Sequence, residues 1–168
     1  MNAPAARRAP TRVLFVDAGN YCRSPAAEVV ARTLIQRTHQ GLQIAVGSAG
    51  LKDKHAGGTA DPRTIEVCLA RGFDLSAFRC RQITPADFAS HDLILAMDRE
   101  NLEQLRMLRP TGSGASIELF LGDAELPDPY FGGIDGFLVM LDQIEAGAMR
   151  LLQRLTDAGG RSDPDTPA

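Results

Sequence analysis

The chain has 168 residues, 44% of them hydrophobic, and a formal net charge of -3. That length supports one well-buried core and excludes two ordinary domains, and lysines and arginines scattered among acidic residues leave no basic stripe for a nucleic-acid backbone. No run nears the ~20 apolar residues that span a bilayer, and Met1 to Pro10 lacks the apolar core of a leader, so a cytoplasmic protein with neither membrane nor nucleic-acid partners is expected.

Residues 1–11 and 159–168, rich in Ala, Pro, Gly and Asp without periodicity, are expected to be disordered, leaving one domain over 12–158. Short apolar runs at Val13 to Val16, Leu42 to Val46, Leu93 to Met97 and Ile117 to Leu121 alternate with segments of helical period. That alternation predicts a single doubly wound α/β domain, a four-stranded parallel sheet flanked by helices. After the first strand, Ser24 is suited to cap a helix with Pro25 at its first position and a buried stripe of Ala27, Val30, Ala31, Leu34 and Ile35. Asp61-Pro62 starts a second helix through Ile65, Cys68 and Leu69, ended by Gly72. Thr84 to Asp87 starts a short third helix, and Asp98 caps a fourth through Leu102 and Leu105 that stops before Pro110. The last helix keeps Phe137, Leu141, Ile144, Ala148, Leu151, Leu152 and Leu155 on one face, with Gly159-Gly160 as terminator. Cys22, Cys68 and Cys80 show no repeated close spacing, which argues against a disulfide framework or a zinc site.

Ligands of doubly wound domains bind at the carboxyl ends of the strands. The segment Asp17-Ala18-Gly19-Asn20-Tyr21-Cys22-Arg23-Ser24-Pro25 follows the first strand and opens a helix, which suits a phosphate-binding loop. Gly19 permits unusual backbone angles, and consecutive N–H groups beneath a helix N-terminus can gather around an oxyanion. The planar guanidinium of Arg23 can grip two phosphoryl oxygens. Asn20 and Ser24 are suited to holding the loop open through side-chain hydrogen bonds.

Val13 to Pro25 resembles the Val-Cys-x-Gly-Asn-x-Cys-Arg-Ser-Pro segment of low-molecular-weight protein tyrosine phosphatases, with Asp17 where the family has its nucleophilic cysteine. Ser48-Ala49-Gly50, Asp61-Pro62-Arg63, Arg81 to Thr84, Asp92 to Asp98 and Asp128-Pro129-Tyr130-Phe131 are similar to later blocks of the same family in the same order, so the match covers about Arg12 to Leu155. The resemblance implies hydrolysis of phosphotyrosine or related aryl phosphomonoesters without a cofactor or metal. Carried over, the nucleophile position is Asp17, the phosphate-gripping arginine is Arg23, and the acid that protonates the leaving oxygen is Asp128. Tyr130 and Phe131 would form one pocket wall. Many members place a Trp or Tyr on the opposite wall, where Leu51-Lys52-Asp53-Lys54-His55 puts Lys54 at about that position. The lost aromatic weakens the case for phosphotyrosine and leaves room for an acidic or phosphorylated non-protein substrate.

A carboxylate at position 17 has two hard oxygens that can accept the N–H groups meant for phosphoryl oxygens, so little or no turnover is expected. Enzymes that do form acyl phosphates on aspartate usually recruit Mg²⁺, and no acidic cluster near Asp17 in sequence offers such a site. A pseudophosphatase that binds a phosphorylated or anionic partner without turnover is the second reading. An arsenate-reductase-like protein is the third; it requires a loop cysteine and a downstream cysteine relay, and no cysteine lies beyond Cys80. Cys22, which can pair with the nucleophilic cysteine in many members, has no such partner at Asp17. A tyrosine kinase of bacterial polysaccharide export is a partner the resemblance implies.

Overall fold

The computed structural model describes residues 9–38 and 41–159. Four strands form one parallel sheet: β1 (Thr11–Asp17), β2 (Ile44–Gly50), β3 (Leu93–Ala96) and β4 (Ser116–Leu119), in the order β2-β1-β3-β4. Five helices complete it: α1 (Arg23–Thr38), α2 (Pro62–Ala70), α3 (Pro85–Ser90), α4 (Arg99–Leu108) and α5 (Ile134–Gly159). The expected disordered ends lie largely outside the described residues, although Thr11 already opens β1 and Gly159 closes α5.

The central strand explains why its sequence reads as an unbroken apolar run. Side chains alternate across a strand, and both faces of β1 are covered. Val13 and Phe15 join a core with α1, α2 and α5, whereas Leu14 and Val16 join one with Phe88 of α3 and Leu105 of α4. Strands buried on both faces lose the alternation that marks a half-exposed sheet. β1 pairs with β2 from Thr11 opposite Ile44 to Asp17 opposite Gly50.

The helix signals perform as their chemistry requires at three ends. Asp61 accepts the Arg63 N–H at 2.8 Å, Asp98 accepts that of Asn101 at 2.7 Å, and Asp87 returns to the Thr84 N–H at 2.8 Å. Gly72, at φ 84°, ends α2. Several boundaries differ from expectation, β4 among them, which spans Ser116–Leu119 rather than Ile117 to Leu121. β2 begins at Ile44 rather than Leu42 and runs on to Gly50, because Gly47, Ser48, Ala49 and Gly50 are too small to register as an apolar run yet continue the ladder beside β1. α1 begins at Arg23, so Pro25 is its third residue, and Ser24 is not the cap: its N–H donates to Asp17 Oδ2 at 2.8 Å. Among the described residues no helix is long and apolar enough to cross a membrane.

Candidate active site

At the carboxyl end of β1, residues 18–22 turn the chain into α1. The positive φ in this turn belongs to Asn20, at 56°, and not to Gly19 as the sequence suggested. Asn20 is fully buried and tolerates that conformation because its side chain is tied in three directions. Its Nδ2 donates to Ser24 Oγ and to Ser48 Oγ, each at 2.9 Å, while its Oδ1 accepts the Arg81 N–H at 2.9 Å. Ser48 in turn donates to Glu28 Oε1 at 3.0 Å. The loop is thus tied to β2 and to the segment before α3, partners between 28 and 61 residues away.

Gly19 matters for close approach instead. A Cβ there would meet His55 Cδ2 at 3.3 Å, and one on Gly50 would lie 2.6 Å from the carbonyl carbon of Gly19. The end of β2 therefore passes directly beneath the loop.

Asp17 is 3% exposed, and both of its oxygens are held. Oδ1 accepts the Asn20 N–H at 2.5 Å and Oδ2 accepts the Ser24 N–H at 2.8 Å. Burial nonetheless pushes the carboxyl above its ordinary value of 3.8, against the opposing pull of Arg23 and these N–H groups. The carboxylate does not consume the whole cradle. Among the described residues, the N–H groups of Ala18, Gly19, Tyr21, Cys22 and Arg23 have no acceptor in the protein. Cys22 lies buried with its Sγ 3.6 Å from Asp61 Oδ2, and burial, with Asp61 next, pushes its thiol far up.

A guanidinium buried as deeply as that of Arg23, 3% exposed, needs partners on its donors. Its Nη1 donates to Asp98 Oδ2 at 2.7 Å and to the Leu126 carbonyl at 2.9 Å. Its Nη2 lies 3.6 Å from Asp128 Oδ2, whose side chain is 47% exposed. Asp128 is thus at the mouth and Asp17 at the floor of one cleft of about 280 Å³. Ala18, Gly19, Tyr21, Cys22, Arg23, Lys54, Tyr130 and Phe131 also line it, while Asn20 and Ser24 lie beneath as supports.

The structure adds residues that sequence reasoning left out of the site. Asp98 was legible only as a helix cap, although its place after β3, next to β1 at the carboxyl edge, was the available signal. Arg63 had no role assigned; it holds Asp61 Oδ2 at 2.8 Å and the carbonyls of Tyr130 and Gly132 at 2.9 and 3.0 Å. His55 corrects the expectation of a lost aromatic wall. Its ring stacks on Tyr21 with centroids 3.7 Å apart and planes within 9°, and it lines the cleft beside Lys52 and Lys54.

Such a floor of N–H groups without protein acceptors, one arginine and one aspartate suits a tetrahedral oxyanion, and with this sheet order it defines a small doubly wound α/β domain with an oxyanion-binding loop after its first strand. Residues 12–160 match the family model of the low molecular weight phosphotyrosine protein phosphatases. The low molecular weight protein-tyrosine-phosphatase of Streptomyces coelicolor is 39% identical over 150 residues, 84% of this chain and 91% of that one. The corresponding phosphatase of Schizosaccharomyces pombe is 39% identical over 136 residues, 75% of this chain and 85% of its own. Among solved structures, the Entamoeba histolytica protein tyrosine phosphatase with Hepes in its active site aligns at a TM-score of 0.82, with 34% identity over 89% of this chain and 99% of that one. Vibrio vulnificus Wzb in complex with benzylphosphonate aligns at 0.76, with 29% identity over 86% and 98%. This chain belongs to the low molecular weight phosphotyrosine protein phosphatase family.

Proposed function

We propose that the cleft binds phosphotyrosine or a related aryl phosphomonoester, and that this chain hydrolyses it very slowly or not at all because Asp17 stands where the family's cysteine attacks phosphorus. The observation that carries the reading is the engagement of both Asp17 oxygens by the Asn20 and Ser24 N–H groups. A carboxylate so held is a poor nucleophile: in-line attack requires it to give up a hydrogen bond and turn an oxygen towards phosphorus. Losing a nucleophile typically costs about 10⁵ to 10⁶ in rate.

In this reading, Ala18, Gly19, Tyr21, Cys22 and Arg23 offer N–H groups to the phosphoryl oxygens, and Arg23 adds its guanidinium. Asp128 gives its proton to the departing phenolate oxygen. Tyr130 and Phe131 flank the ring on one side, with Tyr21, His55 and Lys54 on the other. The benzylphosphonate held by Wzb has the same chemistry, a tetrahedral phosphonate one atom from a ring.

A binding protein without turnover is the second reading, favoured by those five N–H groups that lack a protein acceptor. Asp17→Cys separates the two. Gain of at least ~10⁴-fold in p-nitrophenyl phosphate turnover supports a phosphatase cleft lacking its nucleophile. Failure of that variant to turn over, with micromolar phosphotyrosine binding by the native chain, supports the binding protein. Brisk turnover by the native chain with a trapped phospho-Asp17 overturns the impaired-turnover reading. A bacterial tyrosine kinase as source of the phosphorylated partner belongs to the same proposal, and co-purification of such a kinase with the native chain tests it.

A further inference from the structure

The rim of the cleft is chemically lopsided. Lys52 and Lys54, the only lysines in the chain, both line it on the segment that follows β2. Both are exposed, and among the described residues neither is ion-paired with a carboxylate; Lys54 Nζ lies 6.0 Å from the Tyr130 ring centroid. Asp53 between them is exposed but does not line the cleft. A second segment of the rim, after Asp128, carries Phe131, which is 97% exposed and set edge-on to Tyr130 with centroids 4.8 Å apart. Ile134 and Leu138 follow it along the chain, also exposed and one helical turn apart. A chain of net charge -3 thus gathers its two lysines on one segment of the rim and an exposed phenylalanine on another. None of these groups is needed to hold a tetrahedral oxyanion, a task the reading above gives to the loop N–H groups and Arg23. Beyond flanking the ring, their exposed ends are free to meet whatever continues from it.

We infer that the cleft selects phosphotyrosine within a peptide segment bearing acidic side chains on one flank and an apolar side chain on the other, met by Lys52 and Lys54 and by Phe131 respectively. This rests on the functional reading above and narrows its substrate class. Exposed ion pairs are individually weak, so about two- to fivefold per lysine is expected, fading with salt. The apolar contact is insensitive to salt, which separates the two contributions.

The test uses three phosphotyrosine peptides with Glu, Ala or Lys flanks, in versions with and without a Leu on the other side. Their affinities for the native chain are measured by fluorescence anisotropy, and their kcat/KM values, each relative to p-nitrophenyl phosphate, in the Asp17→Cys background. The expected order is Glu over Ala over Lys, spanning about tenfold or more at low salt and collapsing towards unity at ~0.5 M salt. Combined K52E and K54E should invert that order; Phe131→Ala should lower turnover of aryl phosphates generally and, with each peptide taken relative to p-nitrophenyl phosphate on the same variant, erase the benefit of Leu while keeping Glu over Lys. Turnover of p-nitrophenyl phosphate with no peptide ranking, or with a ranking unmoved by the lysine reversal, overturns this inference while leaving the functional reading intact. So does a small polyanionic phosphomonoester, such as a sugar bisphosphate, preferred over every peptide. Neither binding nor turnover of any aryl phosphate by either protein overturns both.

Discussion

Asn20 combines a left-handed backbone with a fully buried side chain, and those two demands can be separated by mutation. Asn20→Ala removes the links to Ser24, Ser48 and Arg81 and places an unsuitable residue at φ 56°. Lost buried hydrogen bonds and backbone strain together are expected to cost about 2 to 4 kcal/mol. Asn20→Gly restores the backbone freedom without the bonds, so chemical denaturation should find it more stable than the alanine variant by about 1 kcal/mol. Equal stabilities would mean that the side-chain ties alone fix the turn. Arg23 presents a different balance, because its buried charge is matched by Asp98 rather than by solvent. In the Asp17→Cys background, Asp98→Asn should lower kcat/KM for p-nitrophenyl phosphate about tenfold or more by letting the guanidinium swing towards Asp128.

Between elements, the closest contact in the site is the end of β2 beneath the turn after β1. Any side chain at position 50 meets backbone: its Cβ would lie 2.7 Å from Asn20 N and nearer still to the Gly19 carbonyl carbon. Backbone cannot rotate away as a flexible side chain does, so Gly50→Ala must displace the loop. Phosphotyrosine affinity of the native chain is expected to fall at least tenfold while the far-ultraviolet circular dichroism keeps its α/β form; unchanged affinity would show the loop to be deformable. Arg63 joins α2 to the segment carrying Asp128 and Tyr130, reaching two carbonyls and packing over the Phe137 ring at 4.3 Å. These joints were the least legible part of the sequence. Apolar runs and periodicity located the four strands and the longer helices, and start signals located α2, α3 and α4 at Asp61, Thr84 and Asp98, because those signals are local. The supports of the site, Ser48 and Arg81 for the loop and Arg63 for the segment after Asp128, make contacts over 28 to 69 residues that no spacing encodes. The start of α1 was misplaced because the N–H of its second residue, Ser24, is served by Asp17 of the preceding strand.

For the whole molecule, acid stability is set by carboxyls pulled in opposite directions. Burial raises the Asp17 carboxyl above 3.8, so the folded protein holds this proton more tightly than the unfolded chain does. Its contribution to stability is therefore largest below 3.8 and declines as pH rises through its folded value. Burial also works to raise Asp61 and Asp87, but hydrogen bonds from Arg63 and Arg81 bring both below 3.8. Those two contribute stability above 3.8 that is lost as pH falls through their lowered folded values. Unfolding midpoints of the native chain and Asp17→Ala, compared from pH 4 to 8, should shift against the native chain as pH rises; a shift in its favour would place the Asp17 carboxyl low instead. The same carboxyl also joins the central strand to the first helix, which gives the loop an uneven kinetic life. The amides of Asn20 and Ser24 can exchange only when the buried Asp17 carboxyl lets go of them, whereas those of Ala18, Gly19 and Tyr21 are spared that barrier. Hydrogen exchange from Ala18 to Ser24 should therefore alternate between slow and fast amides, and in Asp17→Ala that contrast should vanish.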